Sequence, residues 1–135
     1  MRTNVIIDVW MQHPTMRFIN QPMFDSLRRW TGGVNAVTEE IPVEFTIDAM
    51  DRGGVQKGLI CAWWGPQGPL ISNDEVAAIV RKHPDRFIGI ASANLYQPME
   101  AVRELRRCVT DYRFRGLRIV QWLWGLPATD RRYYP

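Results

Sequence analysis

Residues 55–93 decide the fold, because three patterned segments follow one another there: VQKGLICA (55–62), NDEVAAIVRKH (73–83) and FIGIASA (87–93). The first and third segments are short and mostly apolar, which is typical of strands buried on both faces. The middle segment places Val76, Ile79 and Val80 on one helical stripe and stops before a proline. This order predicts a parallel β-α-β unit.

The same alternation extends in both directions from this unit. Strands are predicted over residues 4–10 and 115–121, helices over 43–52 and 98–112, and the start of a further helix over 127–135. A long irregular stretch at 13–42 holds one short predicted helix at 22–30. The pattern predicts an α/β fold with a parallel sheet, which an open doubly wound sheet and a (β/α) barrel share. No glycine-rich phosphate-binding motif follows any strand, so a nucleotide-binding domain is not expected.

The composition describes one globular domain over residues 1–135, with 46% hydrophobic and 23% charged residues. No apolar run approaches the roughly 18 residues that a membrane span needs, so no membrane partner is expected. The first ten residues do not resemble a signal peptide. The two cysteines, Cys61 and Cys108, lie far apart and have no metal-ligand spacing. A disulfide framework is therefore not predicted, and a cytoplasmic location is.

The positive charge is concentrated near the C-terminus. Residues 1–98 carry nine basic and ten acidic side chains, whereas residues 99–135 carry eight and four. Three of these arginines share a predicted helix with acidic neighbours, which is typical of a solvated, ion-paired face. We therefore expect no nucleic-acid partner.

Several segments together resemble the amidohydrolase-related family that contains aminocarboxymuconate-semialdehyde decarboxylase and the resorcylate decarboxylases. The matching segments are residues 6–9, 49–60, 83–91, 101–107, 114–119 and 130–135. Each segment is generic alone, but their order and spacing are specific. The resemblance covers the chain outside residues 13–42. It implies a TIM-type (β/α)8 barrel of about twice this length, of which about four βα units are present here.

The resemblance also implies a divalent metal, often zinc. The family binds it through a His-x-His pair that closes strand one and through ligands on later strands. The matching positions here are Trp10 and Gln12, and neither is a zinc ligand. No metal ligand is therefore predicted, and the cofactor is left unknown.

A ring of residues directly after the strands forms the expected functional rim, since the carboxyl ends of barrel strands carry the active site. Substrate-binding candidates are Trp10, Gln12, Arg17, Trp63, Trp64, Asn94, Gln121 and Trp122. The tryptophans would stack on a planar substrate, the amides would hydrogen-bond to it, and Arg17 would pair with a carboxylate. The alternative is that the tryptophans are core or oligomer-contact residues.

Two further residues are catalytic candidates. His13 follows strand one on the catalytic side and could act as a general acid or base, the alternative being a loop histidine bonded to the backbone. Asp8 shares the strand parity of Trp10 and Gln12, although an acidic residue at a strand end is more often structural. His83 is assigned to a helix end.

The leading function is hydrolysis or non-oxidative decarboxylation of a small aromatic or carboxylated compound, as the resemblance implies. One alternative is a catalytically silent half-barrel that associates with itself, and another is a metal-free hydrolase of the lactone-opening type. A four-stranded half-barrel has two bare edges. A truncated chain, pairing of two copies, and rearranged helices are the three possible resolutions. A homo-oligomer is expected.

Overall fold

A computed structural model describes residues 5–33 and 35–133. The strands are β1 (Ile7–Met11), β2 (Lys57–Cys61), β3 (Trp63–Gly65), β4 (Gly68–Ile71), β5 (Phe87–Ala91) and β6 (Gly116–Leu117). The helices are α1 (Met16–Ile19), α2 (Asp25–Trp30), α3 (Val43–Arg52), α4 (Asn73–Lys82), α5 (Pro98–Thr110) and α6 (Gln121–Trp124). Short 3-10 helices lie at Pro22–Phe24 and Arg131–Tyr133.

The main sheet has four strands in the order β1-β2-β5-β6, and every neighbouring pair is parallel. Helices connect these strands in the β-α-β pattern predicted from residues 55–93, so the α/β prediction is confirmed. β1 and β6 are the outer strands of the sheet. The arrangement is that of half a (β/α)8 barrel.

The three long helices form where their apolar stripes predict them. α3 has the predicted bounds, and α4 begins with a capping box in which Ser72 and Glu75 satisfy each other's backbone amides. α5 has Pro98 in its first turn, where a missing amide proton costs nothing. Among the helices of the described residues, none combines the length and apolar character needed to cross a membrane.

One face of the sheet is covered by these helices, and we call it the covered face. Its core joins side chains from α3, α4 and α5 to the sheet residues Ile60, Phe87 and Ala91. Gly89 is required here, because a Cβ at that position would collide with the buried ring of Phe114. The main chain at Gly89 therefore packs directly against the Phe114 ring, and this contact fills the core between β5 and β6.

The predicted fourth strand is wrong beyond Leu117. Pairing to β5 ends at Leu117, with one further hydrogen bond from the Arg118 amide to the Ala91 carbonyl (2.8 Å). The chain then turns into α6, so residues 121–124 form a helical turn. An apolar run does not distinguish a strand from a buried turn, and an edge strand has only one neighbour to hold it extended.

A hairpin of β3 and β4 was not predicted. The two strands pair antiparallel and are closed by the pair Gly65–Gly68 across Pro66 and Gln67. Gly68 has a φ of +114°, which favours glycine. The Gly-Pro-Gln-Gly sequence between two apolar pairs was the available signal for this turn.

The stretch over residues 13–42 is more structured than predicted. The expected helix at 22–30 is present as a 3-10 turn that continues into α2. α1 is additional, and the Thr15 side chain caps it by accepting a hydrogen bond from the Phe18 amide. The predicted segments 4–10 and 127–135 include residues 4, 134 and 135, which lie outside the described residues.

Candidate functional site

The face of the sheet opposite the helices is concave and open, and we call it the open face. A groove of about 530 Å³ lies on it. Its lining includes Trp10, Cys61, Ile90, Arg118 and Gln121. These residues come from all four strands or directly follow them, so the groove lies at the interior of the half-barrel.

Arg118 lies at the centre of this groove. Only 6% of the residue is exposed. Its guanidinium carbon is 3.4 Å from the centroid of the Trp10 ring and 4.6 Å from that of Trp63. Its Nη1 group lies 3.4 Å from Gln12 Oε1, a long hydrogen bond, and its Nε–H has no hydrogen-bond partner. A buried cation is thus held by two aromatic rings and one amide.

The electrostatics of this groove are those of an uncompensated cation. No ion pair to Arg118 occurs among the described residues. Burial lowers the pKa of the guanidinium, which the neighbouring Cys61 opposes. Burial likewise raises the pKa of the Cys61 thiol, while Arg118 acts in the opposite direction. The thiol is therefore protonated near neutral pH, and the arginine carries its charge.

An aromatic cluster extends the groove on one side. The Trp63 ring packs edge-on against Phe18 (4.8 Å between centroids) and Trp122 (6.0 Å). Trp63 is buried, whereas Trp10 and Trp122 are each 61% exposed. Three of the predicted substrate-binding residues, Trp10, Gln12 and Trp63, therefore contact Arg118. Trp122 is joined to them through the Trp63 ring, and Gln121 lines the groove.

Arg118 itself was not predicted as a site residue. It lies between Leu117 and Ile119 in an apolar run. A charged side chain among apolar neighbours of this kind is unusual. That interruption was the available signal. The positive charge of the C-terminal third was instead assigned to a solvated, ion-paired surface. That assignment holds for α5 and not for Arg118.

Asp8 is not on the face expected for it. A bulge in β1 aligns Asp8 with Gly58 and Met11 with Ile60, so three residues of β1 span two of β2. Asp8 therefore lines a different groove, beside Met11 and Phe45, and its Oδ1 accepts a hydrogen bond from the Trp10 amide (2.9 Å). The irregular strand separates Asp8 from Trp10, which lines the Arg118 groove, whereas Asp8 and Gln12 line the same groove. The catalytic role of Asp8 stays a prediction.

His13 faces the covered side. Its ring is buried, with Nδ1 2.8 Å from Thr46 Oγ1 and Nε2 2.8 Å from the Ile41 carbonyl oxygen. A carbonyl only accepts, so Nε2 donates to Ile41, and Nδ1 shares the second hydrogen bond with the Thr46 hydroxyl. This geometry gives His13 a structural role between β1 and α3. Its catalytic role stays a prediction.

Three other candidates lie away from Arg118. Arg17 forms an ion pair with Glu75 (2.6 Å) and donates from Nε to the Leu70 carbonyl. Trp64 and Asn94 line a separate groove of about 350 Å³ against α5. Asn94 also accepts a hydrogen bond from the Tyr96 amide (3.0 Å). Their roles in substrate binding stay predictions, since the structure divides them from the Arg118 groove.

The residues present do not fit the metal that the resemblance implies. No group of three or more His, Cys, Asp or Glu side chains within residues 5–33 and 35–133 is arranged to hold an ion. Trp10 has no lone pair for a cation, and the Gln12 oxygen faces a guanidinium. The two matched positions therefore contribute no metal ligand.

Comparison with known proteins identifies the family. Residues 64–135, just over half of the chain, match the sequence model of the amidohydrolase family. The chain belongs to the amidohydrolase family. This confirms the resemblance, and the amidohydrolase match includes the last two residues of β3, all of β4 to β6, and residues 118 and 122 of the candidate site.

Two curated enzymes are similar to parts of this amidohydrolase. The 2-amino-3-carboxymuconate-6-semialdehyde decarboxylase of Dictyostelium discoideum is 31% identical over 77 residues, which are 54% of this chain and 21% of that enzyme. The γ-resorcylate decarboxylase of Rhodococcus jostii is 49% identical over 45 residues, 33% of this chain and 14% of that enzyme. The matched regions are thus small parts of both relatives.

A solved structure shows the same fold at larger scale. An uncharacterised TIM-barrel protein from Bordetella bronchiseptica superposes with a TM-score of 0.71 at 24% identity. The match covers 98% of this chain and 50% of that one. The amidohydrolase chain described here therefore corresponds to half of a TIM barrel.

Proposed function

We propose that this amidohydrolase acts on a small aromatic carboxylate, by non-oxidative decarboxylation or by hydrolysis. The observation that carries the proposal is the groove on the open face, where Trp10 and Trp63 pack against a buried arginine and Trp122 packs against Trp63. Aromatic walls around a cation suit a planar anion, because the rings stack and the guanidinium pairs with the carboxylate.

The family membership favours decarboxylation as the first reaction to test. Both similar enzymes are named as decarboxylases, and one is named for γ-resorcylate, an aromatic carboxylate. In this reaction the carbon–carbon bond to the carboxylate breaks, CO2 leaves, and a proton takes its place on the ring. Hydrolysis remains the alternative reaction, including a metal-free lactone-opening type.

The direct experiment incubates the 135-residue chain with 2,6-dihydroxybenzoate and measures resorcinol by chromatography. Parallel reactions contain EDTA, Zn²⁺ or Mn²⁺. We expect resorcinol to form in proportion to enzyme concentration, and a Trp63→Leu variant to lose most of this activity. Binding without turnover would support the catalytically silent alternative for this chain.

We also propose that the chain associates with a second copy of itself. β1 is an outer strand, and its apolar residues Ile7 and Val9 are 46% and 66% exposed. Exposed apolar edge strands pair readily with other strands. Light scattering should give a dimer mass at micromolar concentration, and Val9→Lys should shift it to monomer, whereas Val109→Lys on the exposed face of α5 should not.

Three expectations from the sequence stay predictions. They are the cytoplasmic location, the absence of a nucleic-acid partner and the absence of a membrane partner. The single-domain description of residues 1–135 likewise remains a proposal. Cys61 and Cys108 are both free thiols, which is consistent with a reducing compartment.

A further inference from the structure

The two positions that carry the family's metal pair in the resemblance have a common partner here. Trp10 stacks on the Arg118 guanidinium, and Gln12 Oε1 lies at 3.4 Å from its Nη1 group. Both positions therefore surround a cation, although neither binds a metal. The cation is supplied by the chain itself.

We propose that the Arg118 guanidinium takes the place of the metal ion as the positive centre of this site, and that it binds the carboxylate of the ligand directly. The family's strand-one ligands have been exchanged for residues that hold an arginine: an aromatic ring on its face and an amide oxygen at its edge. The site is thus an anion-binding centre.

Arg118 lacks a counter-charge among the described residues. A buried arginine in a purely structural role is paired with a carboxylate, because an unpaired buried charge costs several kcal/mol. Arg118 is buried and has no such partner among the described residues. An incoming anion would supply the counter-charge.

The N–H groups of Arg118 that lack a strong partner lie at the edge of the guanidinium. The Trp10 ring lies over the guanidinium at 3.4 Å and occupies one of its faces. The unpartnered Nε–H points from the in-plane edge, and the single hydrogen bond of Nη1 is long. The edge of a guanidinium binds a carboxylate with two parallel hydrogen bonds, so a carboxylate fits better than a neutral group.

No carboxylate of the described residues forms an ion pair with Arg118 in the groove. Burial keeps the Cys61 thiol protonated, and Asp8 lines the neighbouring groove and forms no ion pair with the guanidinium. A ligand carboxylate would supply the negative charge.

This inference rests on the proposed function only for the aromatic part of the ligand. NMR titrations of the full chain, in EDTA, with three probes separate the two claims. Benzoate is an aromatic anion, benzamide is its neutral counterpart, and cyclohexanecarboxylate is an anion without an aromatic ring. We expect benzoate to bind about tenfold or more tightly than benzamide, with no requirement for added Zn²⁺ or Mn²⁺.

Two variants test Arg118 independently. Arg118→Met removes the charge while keeping most of the side-chain volume. Gln12→Glu keeps the arginine and gives it an internal carboxylate that competes with the ligand, so it tests the site even if Arg118→Met fails to fold. Both should weaken benzoate binding about tenfold and leave benzamide binding unchanged. Arg106→Met, on the exposed side of α5, is the charge-matched control and should have no effect.

The outcomes distinguish the claims. Equal binding of benzoate and benzamide, or unchanged benzoate binding in both variants, would overturn the role of Arg118 and leave the aromatic site standing. Equal binding of benzoate and cyclohexanecarboxylate would remove the aromatic specificity and leave Arg118 as an anion site. Benzoate binding that needs added metal would also overturn the inference. Failure of all three probes to bind would overturn both claims.

Discussion

Arg107 on the covered face and Arg118 on the open face are both arginines held beside aromatic rings, yet their partners differ. Arg107 forms ion pairs with Glu104 (2.7 Å) and Asp74 (2.8 Å), and also donates to the Tyr112 hydroxyl. Arg118 contacts two tryptophans and one amide, and has no ion pair among the described residues. Acidic side chains of the fold neutralise Arg107, whereas none of the described residues neutralises Arg118.

This difference distinguishes the covered face, where paired polar groups stabilise the fold, from the open face, where a ligand is proposed to bind. On the covered face, Asn73 joins Ser92 and Glu104, and Glu104 joins Arg107, so three elements are tied together by satisfied groups. Such a network stabilises the fold without a ligand. On the open face the polar edge of Arg118 lacks a strong partner. A buried group left unsatisfied by its own chain is where a ligand is expected.

The largest expected effect is on the packing of the covered face. Gly89→Ala should lower the free energy of unfolding by about 2–3 kcal/mol, since the new methyl group overlaps the buried Phe114 ring. Urea denaturation measures this change. Gly65→Ala is the control, because its Cβ meets only Leu123 at ordinary contact distance (3.8 Å) and should change stability little.

Replacing each arginine by methionine compares the two faces directly. Arg107→Met should cost about 1–2 kcal/mol, because it leaves Glu104, Asp74 and Tyr112 without their shared donor. Arg118→Met should change stability by less than about 1 kcal/mol or raise it, since an apolar side chain replaces an unpaired buried charge. Urea midpoints of both variants test the comparison. A greater loss for Arg118 would show that it is a structural residue.

The ion pairs and hydrogen bonds of the covered face should also make the free energy of unfolding depend on pH. The hydrogen bonds from Arg107 lower the pKa of Glu104 below its usual value of about 4.5. A carboxylate whose pKa is lower in the folded state stabilises the fold above its unfolded pKa and loses that contribution as pH falls through the folded pKa.

We therefore expect the free energy of unfolding to decrease as pH is lowered below about 4.5. Glu104→Gln should make this decrease shallower, because one carboxylate with a lowered pKa is removed while Asp74, Glu44 and Glu75 keep theirs. Urea titrations at several pH values provide the measurement. Glu39→Gln replaces an exposed carboxylate that has no ion pair within the described residues, so it is the matched control and should keep the slope of the parent chain.

The smallest expected effect concerns Trp122. Its ring packs edge-on against Trp63 but is 61% exposed, so Trp122→Leu should cost only about 0.5 kcal/mol. Trp124, two residues later in α6, is buried against Tyr96 and should cost more when replaced by leucine. Thermal melts of the two variants compare them. If Trp122 contributes more than Trp124, the open face is part of the core.

Much of the fold was predictable because it depends on local pattern. The apolar stripe of α3 and the capping box of α4 lie within single segments, so their bounds follow from the sequence. The end of β6 and the bulge in β1 were not predictable in this way. Both depend on which strand lies alongside, and periodicity carries no information about a neighbour.

The residues of the candidate site likewise differ in whether local sequence pattern predicts them. Trp10, Gln12, Trp63 and Trp122 were found from the rule that functional residues follow barrel strands. Arg118 was missed because its importance comes from burial without a counter-charge, which only assembly of β1, β2 and β6 creates. His13 was predicted either as a general acid or base or as a loop histidine bonded to the backbone, and the structure buries it between Thr46 and Ile41.

By itself, the sequence determined the order of the main-sheet strands and the long helices, the family, and the presence of Trp10 and Gln12 after strand one, because residue type and spacing are enough for each. Only the tertiary structure decided what those two side chains contact. Trp10 and Arg118 are 108 positions apart in the chain, and a cation–π contact at 3.4 Å between them exists only when the outer strands curve toward each other. Charge, burial and partner are properties of that arrangement, and they give Arg118 its proposed role.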